Sequence, residues 1–172
     1  MISLNLKLHT LTHIQEPGAE GLAKVYKAAG SPKQVFGIAT NTAGWNAFSQ
    51  SPGEFSGTSD AKYNKAQDEK RYIAAFAPLL KTAGMPNHAI VDTGRNAVTG
   101  LRLEWGDWCN VIGAGFGVRP TTTTNDALVD AFVWGKPGGE SDGISDPSAD
   151  RYDSFCGHAD GKSIRARVHL TC

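Results

Sequence analysis

YIAAFAPLLKTAGMPNHAIVDT, Tyr72 to Thr93, carries two different periods in one stretch. Tyr72, Phe76 and Leu80 recur at every fourth position with Ile73 and Leu79 beside them, which is the spacing of one buried helix face. Gly84 and Pro86 close that helix. HAIVDT, His88 to Thr93, then reads as a short buried strand. Upstream, VFGIATN, Val35 to Asn41, is a second apolar run of strand type. A strand, a helix and another strand in this order predict a parallel βαβ unit and an α/β fold.

Working outward, the helix is predicted from Asn64 to Ala83, with Pro78 expected to kink it or end its regular part. An earlier helix is predicted to open at Glu16-Pro17, carry Leu22, Val25, Tyr26 and Ala29 on one face, and stop at Gly30 and Pro32. Residues 44–62, rich in Ser, Gly, Pro and aromatics, read as a long loop of the kind that usually carries function. Two more strands are predicted, WCNVI from Trp108 to Ile112 and LVDAFVW from Leu128 to Trp134, with no helix signal between them. In parallel α/β folds the chemistry sits at the carboxyl ends of the strands. Those ends fall at Asn41, at Asp92 to Arg95, at Gly113 to Arg119 and at Lys136 to Asp142.

Composition narrows the class of function. Apolar residues make up 40% and charged residues 20% of the 172, an ordinary globular balance. Lys plus Arg equals Asp plus Glu at 17 each, so no field of one sign is available to bind nucleic acid or a membrane surface. No apolar run approaches a membrane span. Met1 to Gln15 is broken by Asn5, Lys7, His9 and His13 and does not read as a signal peptide. Cys109, Cys156 and Cys172 allow at most one internal disulfide and leave one thiol over.

Two segments hold the concentrated chemistry. WGKPGGESDG, Trp134 to Gly143, brings Lys136, Glu140 and Asp142 into one loop, and such charges are costly to hold together unless paired or used. A solvated acidic turn is the plain alternative. EWGDWCN places Trp105 and Trp108 around Gly106-Asp107; aromatic faces of this kind stack on sugar rings, or serve only as core. Gly113-Ala114-Gly115-Phe116-Gly117 suggests a dinucleotide loop, but its third glycine position holds Val118 and no helix signal follows. Cys156, His158, His169 and Cys172 lack standard zinc spacing.

GDWCNVIGAGFGVRP (Gly106 to Pro120), DAFVWGKPGGESDG (Asp130 to Gly143) and RYDSFCG (Arg151 to Gly157) together resemble the closing motifs of fungal family 6 glycoside hydrolases, the cellobiohydrolase-like glucanases. AKVYKAAGSP, GIATNTAGWNAF and YIAAFAPLLKTAG are similar to the preceding parts in the same order, so the resemblance spans Glu16 to Asp160. Residues 1–15 and 161–172 do not resemble the family. The resemblance implies the carboxy-terminal part of a distorted β/α barrel, incomplete in its amino-terminal half, from an extracellular monomeric enzyme. That enzyme would hydrolyse β-1,4-glucosidic bonds of cellulose or cello-oligosaccharides with inversion, without cofactor or metal.

Residue by residue, the resemblance puts Asp142 at the proposed catalytic base and Arg95 at the arginine pairing with it. Lys136 and Glu140 fall at substrate-contacting positions, Trp108 at a ring-stacking tryptophan, and Asn41 at a further substrate-contact position. Cys109 and Cys156 match a family disulfide, leaving Cys172 free. Asp142 is expected to be held by Arg95 and Lys136, and Glu140, with no cation of its own expected, is its rival as base. Gly44-Trp45-Asn46 stands where the family often reads Asn-Tyr-Asn, a departure expected to remove a substrate amide. Inverting chemistry needs a second carboxyl, and no aspartate here stands in the family's acid motif. The competing reading is a truncated, catalytically incompetent relative that at most binds glucan.

Overall fold

The computed structural model of the chain describes residues 16–62 and 66–157. Met1 to Gln15, His158, His169 and Gly161 to Cys172, including the expected free thiol, lie outside the described residues. Two helices, α1 (Glu16–Ala28) and α2 (Glu69–Thr82), accompany three strands, β1 (Gly37–Thr40), β2 (His88–Asp92) and β3 (Val129–Val133). The strands form a parallel sheet in the order β1-β2-β3, so α2 is the crossover of the expected βαβ unit.

α2 starts later than the sequence predicts because Asp68 caps it: its Oδ1 accepts the Arg71 N–H at 2.8 Å. Pro78 does not end it. The helix runs a further turn to Thr82, and the carbonyl that loses its partner belongs to Ala74, which is exposed to water. Tyr72, Ile73, Phe76 and Leu80 turn inward as their spacing predicts, packing with Leu22 and Ala23 of α1 against Ile38, Ala89, Val91, Val129 and Phe132 of the sheet.

Ile38 lies opposite Ala89 and Thr40 opposite Val91, as parallel register requires. Between β2 and β3 the register shifts after the Ala89–Val129 pair, so that Phe132 stands opposite Val91. The one extra residue in β3 lets Val129 and Phe132, three apart, share the helix-facing side. β2 reaches β3 through a long segment without a helix, residues 93–128.

WCNVI is not a strand. Asn110 takes a left-handed backbone (φ 49°) and turns its N–H to the Asp142 carboxylate at 3.0 Å instead of to a neighbouring strand. The expectation from its apolar residues is overturned by that local geometry.

Candidate functional site

The three strand ends are tied by one carboxylate. Asp92, the last residue of central β2 and 4% exposed, accepts four backbone N–H groups. Gly94 (2.9 Å) and Gly135 (3.2 Å) donate to Oδ1; Ala43 (3.2 Å) and Lys136 (2.9 Å) donate to Oδ2. These donors come from the loops after β1, β2 and β3. Asn41 completes the bracket. Its amide donates to the carbonyls of Asn46 and Asp92, and its carbonyl oxygen accepts the Asn46 N–H. Asn41 lines the cavity described below, but both its donors are already committed to backbone.

On this frame Asp142 is clamped. Arg95 Nη1 donates to both carboxylate oxygens at 2.8 and 2.7 Å, Asn110 N–H to Oδ2 at 3.0 Å, and Lys136 Nζ lies 3.4 Å from Oδ1. One shared guanidinium nitrogen, one backbone N–H and one ammonium at ion-pair distance thus meet the carboxylate, while Asp142 still lines the cavity described below. In return the Asp142 N–H donates to the Asn110 side chain at 2.9 Å. Burial pushes the Arg95 guanidinium down from its ordinary pKa, and the Asp142 charge works against that shift. Glu140 does have a cation, contrary to expectation: Lys136 Nζ stands 3.0 Å from its Oε2, nearer than to Asp142, because the turn brings residues 136 and 140 onto one side. Glu140 is half exposed and Asp142 only 5%.

A cavity of about 590 Å³ opens over these residues. Half-buried Trp108 lines it with Lys136, Glu140 and Asp142, and Trp105 and Phe155 add further aromatic wall. The Cys109–Cys156 disulfide lies directly behind and is wholly buried. It joins the segment carrying Trp108 to the segment carrying Phe155. Gly143 must be a glycine here, since a Cβ would meet Cys156 Sγ at 2.7 Å. With Cys156 bonded to Cys109, it is not free for the zinc set considered from the sequence. Gly139 to Gly143 also spells G-x-S-x-G, the pattern of a nucleophile elbow. No described helix follows it, and Ser141 Oγ is spent on the Gly143 carbonyl at 2.8 Å.

The opposite wall holds a buried polar chain. Asn46 donates to Glu69 Oε1 at 2.7 Å and accepts from Arg102 Nη2 at 2.7 Å, and Arg102 pairs with Glu54 at 2.6 Å. Burial pushes the Glu69 carboxyl above its ordinary pKa, with the Asn46 hydrogen bond opposing. Burial, with Glu69 adding to it, likewise raises the Tyr72 phenol.

Sequence reasoning placed Asp92 at a strand end where chemistry sits but gave it no role, and missed Asn110 and Trp45 as parts of the site. Asn110 stood inside the motif that placed Trp108. Asp92 had the signal of a lone acid at the end of an apolar strand. Trp45 was marked only as a departure.

The model of the glycosyl hydrolases family 6 matches residues 9–166. The chain belongs to that family. It is 70% identical over 145 residues to a 1,4-beta-D-glucan cellobiohydrolase, CEL6C, of Podospora anserina, covering 84% of this chain and 36% of that protein. The catalytic core domain of the cellobiohydrolase Cel6A from Chaetomium thermophilum superposes with a TM-score of 0.76 at 53% identity, over 87% of this chain and 40% of that one. Cellobiohydrolase II (Cel6A) from Humicola insolens, in complex with glucose and cellotetraose, gives 0.77 at 48%, over 88% and 41%. The chain thus spans about a third of the length of the curated relatives it matches. No described helix is long and apolar enough to cross a membrane.

Proposed function

We propose that this chain supplies the base side and part of the glucan-binding wall of a β-1,4-glucan hydrolase acting with inversion on cellulose or cello-oligosaccharides. The enzyme works outside the cell as a monomer, and its base is Asp142. The observation that carries this reading is a carboxylate clamped by Arg95, Asn110 and Lys136 beside the half-buried face of Trp108. A ring face takes the apolar side of a glucosyl unit, and Lys136 and Glu140 supply partners for its hydroxyls. The relatives named as cellobiohydrolases, and the cellotetraose bound by the Humicola protein, support the same substrate class.

Held by Arg95, Asn110 and Lys136, Asp142 takes a proton only at the expense of these charge-stabilising contacts. In this reading it acts first as a fixed negative charge opposite an oxocarbenium-like transition state, and it accepts the attacking water's proton through a second water on giving up its 3.4 Å contact with Lys136. Glu140 is the rival, more exposed and with one cation.

The test has two parts. Cellotetraose binding to the chain is read by calorimetry. Turnover is read in a chimera in which residues 16–160 replace the matching third of the Podospora enzyme, with the product anomer followed by NMR. Turnover with inversion, lost in Asp142→Asn and retained in part by Glu140→Gln, is expected. A folded chimera in which Asp142→Asn keeps near-normal turnover while Glu140→Gln loses it would exchange the two roles. A folded chimera that binds cellotetraose without cleaving it would overturn the hydrolytic reading.

A further inference from the structure

Trp45 touches two parts of the site at once. Its ring lies under Arg95, with the guanidinium carbon 3.7 Å from the ring centroid. Its indole N–H donates to the Trp108 carbonyl at 2.8 Å, across 63 positions of sequence. The ring is 8% exposed and packs with Val111, Ala114 and Leu101, apart from the main core.

The Arg95 geometry shows why a ring face matters there. Asp142 is held through one nitrogen only, Nη1, which straddles both oxygens. Nη2 donates to the Ala43 carbonyl, and Nε has no partner among the described residues. A guanidinium held by its two terminal nitrogens can still tilt about the line joining them. A flat aromatic face beneath it removes that freedom, and a desolvated cation–π contact adds attraction.

The preceding residue makes the arrangement possible. A Cβ on Gly44 would meet Asn41 Oδ1 at 2.2 Å, in the position from which that oxygen accepts the Asn46 N–H. Gly44 and Trp45 therefore act together: the missing side chain lets Asn41 fold under the loop, and the loop then carries the indole inward.

We infer that Trp45 is a positioning residue that sets the spacing between the Asp142 carboxylate and the Trp108 ring, one through Arg95 and the other through the Trp108 carbonyl. In this chain the Gly44-Trp45 pair thus supplies a strut between the two parts of the site. The sugar-binding half of the test rests on the function proposed above; the spectroscopic half does not.

Two variants separate the two arms. Trp45→Phe keeps a ring beneath Arg95 and deletes the N–H; Trp45→Leu fills much of the space and deletes both. In the chain labelled with nitrogen-15, Arg95 side-chain signals carry an upfield ring-current shift that is expected to persist in Trp45→Phe and vanish in Trp45→Leu. Cellotetraose affinity by calorimetry is expected to fall about fivefold in Trp45→Phe, as for one lost hydrogen bond, and by tenfold or more in Trp45→Leu. Cooperative melts establish that each variant is folded, and Trp45→Phe carries the affinity test should Trp45→Leu unfold. An Arg95 shift unchanged in a folded Trp45→Leu, or wild-type affinity in folded Trp45→Phe, would reduce Trp45 to core packing. If the unaltered chain binds no cellotetraose, the functional reading fails, and loss of the slow-exchange, single-conformer Arg95 side-chain signals in folded Trp45→Leu, against their retention in Trp45→Phe, still decides the positioning role.

Discussion

Asp92→Asn removes one charge and almost no volume, and the structure says what that costs. Four backbone N–H groups converge on the carboxylate, two on each oxygen. In the amide, one oxygen keeps its pair and the other becomes an NH2 that faces two N–H groups. Leaving a buried donor unsatisfied costs about 1–3 kcal/mol, so two orphaned donors cost about 2–6 kcal/mol. The surviving pair also falls from charge-assisted to neutral bonds, roughly a further 1 kcal/mol. The expected loss is about 3–7 kcal/mol, a large share of the roughly 5–15 kcal/mol that holds a domain folded. In urea, with a slope of about 2 kcal/mol/M, the midpoint should drop by about 1.5–3.5 M. Cellotetraose binding should weaken in the same variant, because the loops so released carry Lys136 and Arg95. A loss below about 1 kcal/mol would mean that the loops satisfy their donors elsewhere and that Asp92 is not their bracket.

Replacing both Cys109 and Cys156 by Ser should lower stability by about 4 kcal/mol on the chain-entropy account, given a separation of 47 residues, as read from urea midpoints. Because both sulfurs are fully buried, dithiothreitol should leave the native bond intact until denaturant is added; rapid native reduction would contradict this burial. Glu69→Gln tests a pH dependence whose sign follows from its raised pKa. The native state holds the Glu69 proton more tightly than the unfolded chain, so its contribution is full below the ordinary value of 4.5 and is lost as pH rises through the folded pKa. The stability of the Gln variant relative to the natural chain should therefore grow from pH 4.5 upward, and parallel urea profiles across that range would refute it. Trp108→Ala should weaken cellotetraose binding about tenfold or more, as expected for removing a stacking anchor, while an unchanged affinity would assign the ring to the core.

The βαβ unit was legible because its signals are local. The face of α2 appears as apolar spacing, and β1 and β2 appear as short apolar runs between stop signals. The α1 face is only half as expected: Leu22 and Tyr26 pack on the core with Ala19 and Ala23, while Val25, 52% exposed, and Ala29, past the helix end, face solvent. The errors lie where tertiary contacts decide. Trp108 to Ile112 has the composition of a strand, yet Asn110 leaves extended geometry to meet a carboxylate 32 positions away. Pro78 has the chemistry of a breaker, yet the face of α2 is anchored on both sides of it, by Phe76 and by Leu80, and packing holds the last turn. The bulge that lets Val129 and Phe132 share one side of β3 leaves no mark in an alternation count.

Of the site, the charged and aromatic residues were legible through family resemblance, and the backbone-mediated ones were not. Asp142, Lys136, Glu140 and Trp108 line one cavity, and Arg95 pairs with Asp142 from outside that lining, all through side chains whose type announces them. Asp92, Asn110 and Trp45 act through main-chain N–H and C=O groups of distant residues, and a sequence does not display where those groups point. The unseen residues are also what make the clamp local. Among the described residues, the cations and the N–H that meet the Asp142 carboxylate come from Arg95, Lys136 and Asn110, and these are in turn fixed by Trp45, by Asp92, and by Ser141 and Gly143. The contacts that hold the proposed base within this chain therefore depend on how the loops that follow β1, β2 and β3 meet.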